Sequence, residues 1–86
     1  MAFYRIEWRR SAVKDLRGLP TPEIARIVKA VDGLALDPRP PDSLKLSGSD
    51  VSFRIRVGVY RVLYEIFDGR LIIEVIKVGH RKDIYR

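Results

Sequence analysis

The hydropathy period of this chain changes once, near Val51, and that change constrains the fold more than any other feature. Beyond it, apolar residues alternate. Phe53, Ile55 and Val57 point one way, and Ser52, Arg54 and Arg56 point the other. Tyr60 to Phe67 reads as a second strand and Arg70 to Val78 as a third, with Asp68-Gly69 between them as a two-residue hairpin turn. If Gly58-Val59 is also a two-residue loop, Val57 pairs with Tyr60 and Arg56 lies opposite Arg61, with Arg54 two positions further along. Facing residues on paired strands sit about 5 Å apart at Cβ, where like charges repel. Three arginines on one sheet face therefore need a compensating reason. The other face carries Phe53, Ile55, Val57, Tyr60, Val62 and Tyr64, which gives helices a surface to cover.

Upstream of the switch the period is helical. Phe3 to Trp8 is a short alternating strand with one apolar face. Ser11 is placed to cap a first helix carrying Ala12, Val13 and Leu16, which ends near Gly18 and Pro20. Thr21-Pro22 marks a second start, a capping hydroxyl followed by proline, with Glu23 near the positive end of the helix dipole. Ile24, Ile27, Val28, Val31, Leu34 and Ala35 continue that helix to about Leu36. Pro38, Pro40 and Pro41 make Asp37 to Asp42 a connector. The pattern specifies an α+β fold: a short N-terminal strand, then an antiparallel helical hairpin packed on one face of a small, mainly antiparallel sheet. Tyr60 and Tyr64 belong to the core side, and Trp8 to the core or to a partner-facing surface.

The chain has 86 residues, enough for one domain spanning 1–86. A domain of this size buries about 60–65% of its unfolded surface, so a permanent partner would add stability it needs. Without cysteine there is no disulfide, thiolate metal site or thiol nucleophile, and a single histidine argues against a histidine-rich metal site. No metal or cofactor is expected. The N-terminal residues lack the apolar core of a signal peptide, and no apolar run approaches a membrane span; a soluble cytoplasmic protein is expected. The net charge is +6, and from Leu44 onward nine cations face five acids. An anionic partner follows. A non-catalytic single-strand RNA binder would interleave aromatics with cations on one face, whereas here the hairpin aromatics fall opposite the arginines.

The chain ends Val78-Gly79-His80-Arg81-Lys82-Asp83-Ile84-Tyr85-Arg86. Guanidinium forks bind phosphate with defined geometry, so this ending and the hairpin arginines together suggest phosphate chemistry on a polynucleotide. The segment from Phe53 to Ile66, the strand through Val78 and the ending from His80 to Arg86 resemble the RelE branch of the RelE/ParE toxin superfamily, over essentially the whole chain. The resemblance implies a metal-independent endoribonuclease that enters the ribosomal A site and cuts messenger RNA, restrained by a cognate antitoxin. It implies attack of a ribose 2′-OH on its own phosphodiester. It assigns catalytic work to Arg54, Arg56, Arg61, Arg81 and Tyr85: Arg61 at the scissile phosphate, Arg81 near the leaving oxygen, and Tyr85 on a base or at the attacking hydroxyl. Lys45, Lys82 and Arg86 are candidate RNA contacts.

One departure from the family pattern matters. Lysines usually stand where this chain has Arg54 and Arg56, and arginine does not lose its proton near neutrality. His80, the one side chain that ordinarily titrates there, is the candidate base or proton shuttle. The alternative is a slow enzyme that relies on electrostatics and enforced in-line geometry. Plainer roles compete as well: Arg61 in an ion pair with Glu65 or Glu74, and Arg54 and Arg56 as solvated strand positions. The rival function is a ParE-like toxin that inhibits a type II topoisomerase without nuclease activity.

Overall fold

The computed structural model describes residues 3–80. Strand β1 is Arg5–Trp8, helix α1 Arg10–Arg17 and helix α2 Thr21–Gly33; strands β2 to β5 are Leu44–Lys45, Ser52–Val57, Tyr60–Phe67 and Ile72–His80. The strands form one sheet in the order β1-β5-β4-β3-β2. Only β1 runs parallel to its neighbour, β5; the other pairs are antiparallel. The α+β architecture matches the one read from the hydropathy pattern.

The alternation does the sorting. Phe53, Ile55, Val57, Val62, Tyr64, Ile66, Ile73, Val75 and Val78 are buried on one face, against Ala12, Ile27, Val31 and Leu34 of the helical layer. Gly58-Val59 is the expected two-residue loop, pairing Val57 with Tyr60 and Arg56 with Arg61. Gly58 has φ 62°, the left-handed geometry that a hairpin turn of this length demands of its first residue.

Four local expectations are corrected. Ser11 does not cap α1: the N-cap is Arg9, and the Ser11 hydroxyl instead donates to the Ile76 carbonyl at 2.9 Å. Thr21 lies inside α2, whose N-cap is Pro20, and the helix stops at Gly33 instead of Leu36. Asp68-Gly69 is not a two-residue turn. Phe67 pairs with Ile72, and the connection is a single 3₁₀ turn over Asp68–Arg70 closed by Leu71 at φ 52°. The short edge strand β2 has no counterpart in the sequence reading.

The first correction has a structural cause. Register slips between Leu63 and Tyr64, which pair with Lys77 and Val75, leaving Ile76 as an extra residue in β5. Helix α1 clamps that bulge from one face. Ser11 holds the Ile76 carbonyl, and Asp15, one turn on, accepts the Val78 N–H at 3.1 Å. Asp15→Ala should therefore cost about 1–3 kcal/mol of stability, the usual loss when a partly buried N–H is stranded. Thermal unfolding would measure that cost, and faster hydrogen exchange at the Val78 amide would locate it.

Asp68 explains the longer turn. Its carboxylate accepts from the Tyr4 hydroxyl at 2.5 Å and from Arg39 at 2.8 Å, tying the β4–β5 turn to the N-terminal strand and the proline-rich connector. The Arg39 hydrogen bond, with a second from Tyr4, holds the Asp68 carboxyl below the usual carboxylate range. A depressed carboxyl contributes stability above its unfolded pKa and loses it as pH falls through the lower folded value. Acid titration of the unfolding midpoint should show that loss at the bottom of the carboxylate range, and Asp68→Asn should flatten it.

Candidate RNA-binding site on the open sheet face

The sheet face turned away from the helices carries the cations. Arg54 lies on β3 opposite Leu63, and Arg56 directly opposes Arg61. Arg54 is 9% exposed, and its Nε is buried without a hydrogen-bond partner among the described residues. A buried guanidinium is costly to hold in this way unless an anion completes its shell. Arg56 is exposed and Arg61 half-buried.

A cleft of about 740 Å³ opens on this face, lined by Arg54, Arg61 and the run Leu44–Asp50. The edge strand β2 and its following loop supply the outer wall, and Lys45 on that wall pairs with Asp50 at 3.3 Å. A smaller notch of about 110 Å³, lined by Arg56, Gly58, Tyr60 and Arg61, adjoins the hairpin turn. Arg61 borders both. Three of the expected residues, Lys45, Arg54 and Arg61, thus share one concavity, and Arg56 joins through Arg61.

The proposed structural partners of Arg61 are engaged elsewhere. Arg9 sits 2.7 Å from Glu74 and 3.8 Å from Glu65. His80 pairs with Tyr60 across β4 and β5, while Gly79 is the residue beside Arg61. Side chains paired across a sheet share a face, and the His80 ring meets Tyr60 edge-on at 6.1 Å, so the imidazole belongs to the tyrosine side. Arg81, Lys82, Tyr85 and Arg86 lie outside the described residues. Among the described residues, no group of three acidic or imidazole side chains is arranged to hold a metal ion.

Two contributors had no clear sequence signal. The Ser47–Asp50 loop that walls the cleft shows only small polar residues. The Arg26 guanidinium of α2 reaches the hairpin turn, lying 3.5–3.8 Å from where a Cβ on Gly58 would stand. Nothing in the helical pattern distinguishes Arg26 from other surface cations.

Fold and site define a small basic α+β protein with a guanidinium-lined cleft on the open side of its sheet. Comparison with known proteins gives that class a family. A family model described as the ParE toxin of type II toxin–antitoxin systems matches residues 6–85. The chain is 34% identical to the toxin RelG of Mycobacterium tuberculosis, covering 96% of this chain and 97% of the relative. It is 30% identical to a RelE1-named toxin of Methanocaldococcus jannaschii, with 96% of each covered. Its structure superposes with a TM-score of 0.84 on the toxin of the RelE–RelB complex from Pyrococcus horikoshii, at 30% identity and with 94% and 98% of the two chains covered. The chain belongs to the RelE/ParE superfamily of type II toxin–antitoxin toxins.

Proposed function

We propose that this toxin is a metal-independent endoribonuclease that cuts messenger RNA in the ribosomal A site. The observation that carries the reading is the convergence of Arg54, Arg61 and Lys45 on one cleft, with Arg56 alongside. In the proposed reaction a ribose 2′-oxygen attacks the adjacent phosphorus as the bond to O5′ breaks. The products are a 2′,3′-cyclic phosphate and a 5′-OH, and the proton lost at O2′ is balanced by one gained at O5′. The nucleophile comes from the substrate, so the protein has to supply in-line positioning and charge at the phosphorane. Arg61, between cleft and notch, grips the scissile phosphate, and Arg54 and Arg56 neutralise its neighbours. His80, beside Tyr60 of the notch, is the proposed base or proton shuttle, and the arginines that stand in place of lysines supply electrostatics. Arg81 at the leaving oxygen and Tyr85 at the base or the attacking hydroxyl complete the proposal.

Single-strand binding releases counterions with a slope of about −0.7 per phosphate contact, so four engaged arginines predict a slope of about −3 for log affinity against log salt. A titration series with an uncleavable RNA checks it; a flat series rules out the footprint.

The partner we propose is an antitoxin, as in the RelE–RelB complexes of the structural relatives. It should be acidic to match this chain. Outside the cleft, a groove of about 560 Å³ between Trp8, Val13, Arg10, Lys14 and Arg17 is a second cationic surface suited to such a segment.

The ParE description of the matching family favours a second reading, topoisomerase inhibition without nuclease activity. Mapping messenger 5′ ends after induction in cells separates the two. In-frame cuts within translated codons support the nuclease; intact transcripts with arrested replication support the topoisomerase inhibitor.

A further inference from the structure

We propose that Lys77 is a further catalytic residue of the arginine face, the general acid that protonates the leaving O5′ of the scissile phosphodiester. This inference rests on the nuclease reading and adds a proton donor to it.

The bulge in β5 carries the argument. From Phe67 and Ile72 to Tyr64 and Val75 the β4–β5 ladder is regular. Continued unbroken, it would set Lys77 against the fully buried Val62, and Val78 against Arg61 on the open face. A slip of one residue exchanges the two faces of a strand. With Ile76 as the extra residue, Lys77 comes opposite Leu63, Val78 enters the core opposite Val62, and Gly79 lies beside Arg61. The bulge thus turns a lysine out of the core and onto the face of Arg54, Arg56 and Arg61. Helix α1 secures the backbone on both sides of it. Ser11 donates to the Ile76 carbonyl at 2.9 Å, and Asp15 accepts the Val78 N–H at 3.1 Å.

The position suits the chemistry. Lys77 and Arg61 are diagonal neighbours across β4 and β5, about 7–8 Å apart. A lysine's four-carbon stem covers much of that gap, and Gly79 puts no side chain opposite Arg61 to obstruct it. Along β5, His80 lies on the hairpin-turn side of Gly79 and Lys77 on the bulge side. In-line displacement sets the attacking and leaving oxygens on opposite sides of phosphorus. A phosphate gripped by Arg61 therefore has the proposed base toward the turn and Lys77 toward the bulge.

Other groups serve less well. Arginine does not release its proton, so Arg54, Arg56 and Arg61 supply charge alone. Lys45 lies on the far edge strand, where it is paired with Asp50 at 3.3 Å. Lys14 and Lys29 belong to the helices. The acids nearest Lys77 on its own face, Glu65 and Glu74, are both approached by Arg9, and among the described residues Lys77 takes part in no ion pair. In the proposed step the O2′–P bond forms as the P–O5′ bond breaks. Nζ of Lys77 passes a proton to O5′, the base takes the proton from O2′, and water later restores both groups.

The test uses programmed ribosomes carrying messenger with either oxygen or sulfur as the scissile 5′ bridging atom. A leaving thiolate, with an ordinary pKa of about 8.5, departs without a proton donor. On the oxygen substrate Lys77→Ala should slow cleavage by about 10²- to 10³-fold, and Lys77→Arg, which keeps the charge but holds its proton, by a similar factor. On the sulfur substrate both variants should cut within about threefold of wild type, because the acid is no longer needed. Thermal unfolding confirms that each variant is folded. Full cleavage of the oxygen substrate by either variant overturns the proposal, and so does an equal loss on both substrates, which marks a phosphate contact or a structural role. Those results leave the nuclease reading standing. Wild type that cuts neither substrate sinks that reading and this inference with it.

Discussion

Arg61→Ala is expected to lower messenger cleavage by about 10²- to 10³-fold, the usual loss when one charge-stabilising donor is removed from a reaction centre. Arg61 borders both the main cleft and the hairpin notch, so it can reach a phosphate held in either. Arg56 directly opposes it across the sheet, a repulsive pairing that makes sense when an anion lies between the two. Arg61→Lys separates charge from geometry. It retains the cation but loses the planar fork, so it should recover only part of the activity. Antitoxin affinity should stay close to wild type in both variants. Cleavage rates on programmed ribosomes, read beside thermal unfolding curves, check the expectation. A folded Arg61→Ala protein with full cleavage would remove Arg61 from the reaction.

The largest effect on stability is expected at Tyr64. Its ring is fully buried, stacks on Phe53 at 6.1 Å between centroids, and sits at the centre of the helix-covered face. Its hydroxyl donates to the Pro38 carbonyl at 2.7 Å, so the same residue anchors the proline-rich connector. Tyr64→Ala should cost about 3–5 kcal/mol, the range for removing a large buried aromatic. A domain of this length has roughly 4–13 kcal/mol in total, so the loss takes much or all of it. Tyr64→Phe keeps the ring and should lose only about 1 kcal/mol, from the hydrogen bond to Pro38. Denaturant midpoints of the two variants report packing and anchoring separately. The same site limits stability in alkali: burial pushes the Tyr64 hydroxyl up to about 12. A raised pKa leaves the contribution whole below the ordinary tyrosine value near 10 and removes it as pH climbs through the folded value. Stability should therefore decline between those two values, and Tyr64→Phe should weaken that decline.

The parts of the fold that follow from period and turn chemistry were legible in the sequence. The alternation from Val51 to Val78 sorts the sheet faces, and the Gly58-Val59 loop alone places Arg56 across from Arg61. What escaped was decided by contacts between distant segments. Ser11 looks like a cap because hydroxyls usually satisfy the nearest helix N–H, yet the bulge at Ile76 offers it a carbonyl more than sixty residues away. Asp68-Gly69 carries the signature of a tight turn. Tyr4 and Arg39 claim the Asp68 carboxylate, and the chain takes a longer path through Leu71. Strand β2 is only two residues long, too short for alternation to register. The placement of Arg54, Arg56 and Arg61 on one sheet face follows from strand alternation and the hairpin register. The Ser47–Asp50 wall was not, because small polar residues read as an ordinary loop until β2 carries them to the rim of the cleft.

If guanidiniums collected on one open sheet face drive the proposed cleavage of messenger RNA, the reaction is a metal-free transesterification. The chemistry of the cut ends tests it most directly. Purified toxin should be added to ribosomes stalled with a defined codon in the A site, with chelator present, and both fragments characterised. The upstream fragment should end in a 2′,3′-cyclic phosphate and the downstream fragment should begin with 5′-OH, at undiminished rate. A 5′-phosphate on the downstream fragment, or cleavage that stops when divalent metal is limited to the amount the ribosome itself retains, would contradict it.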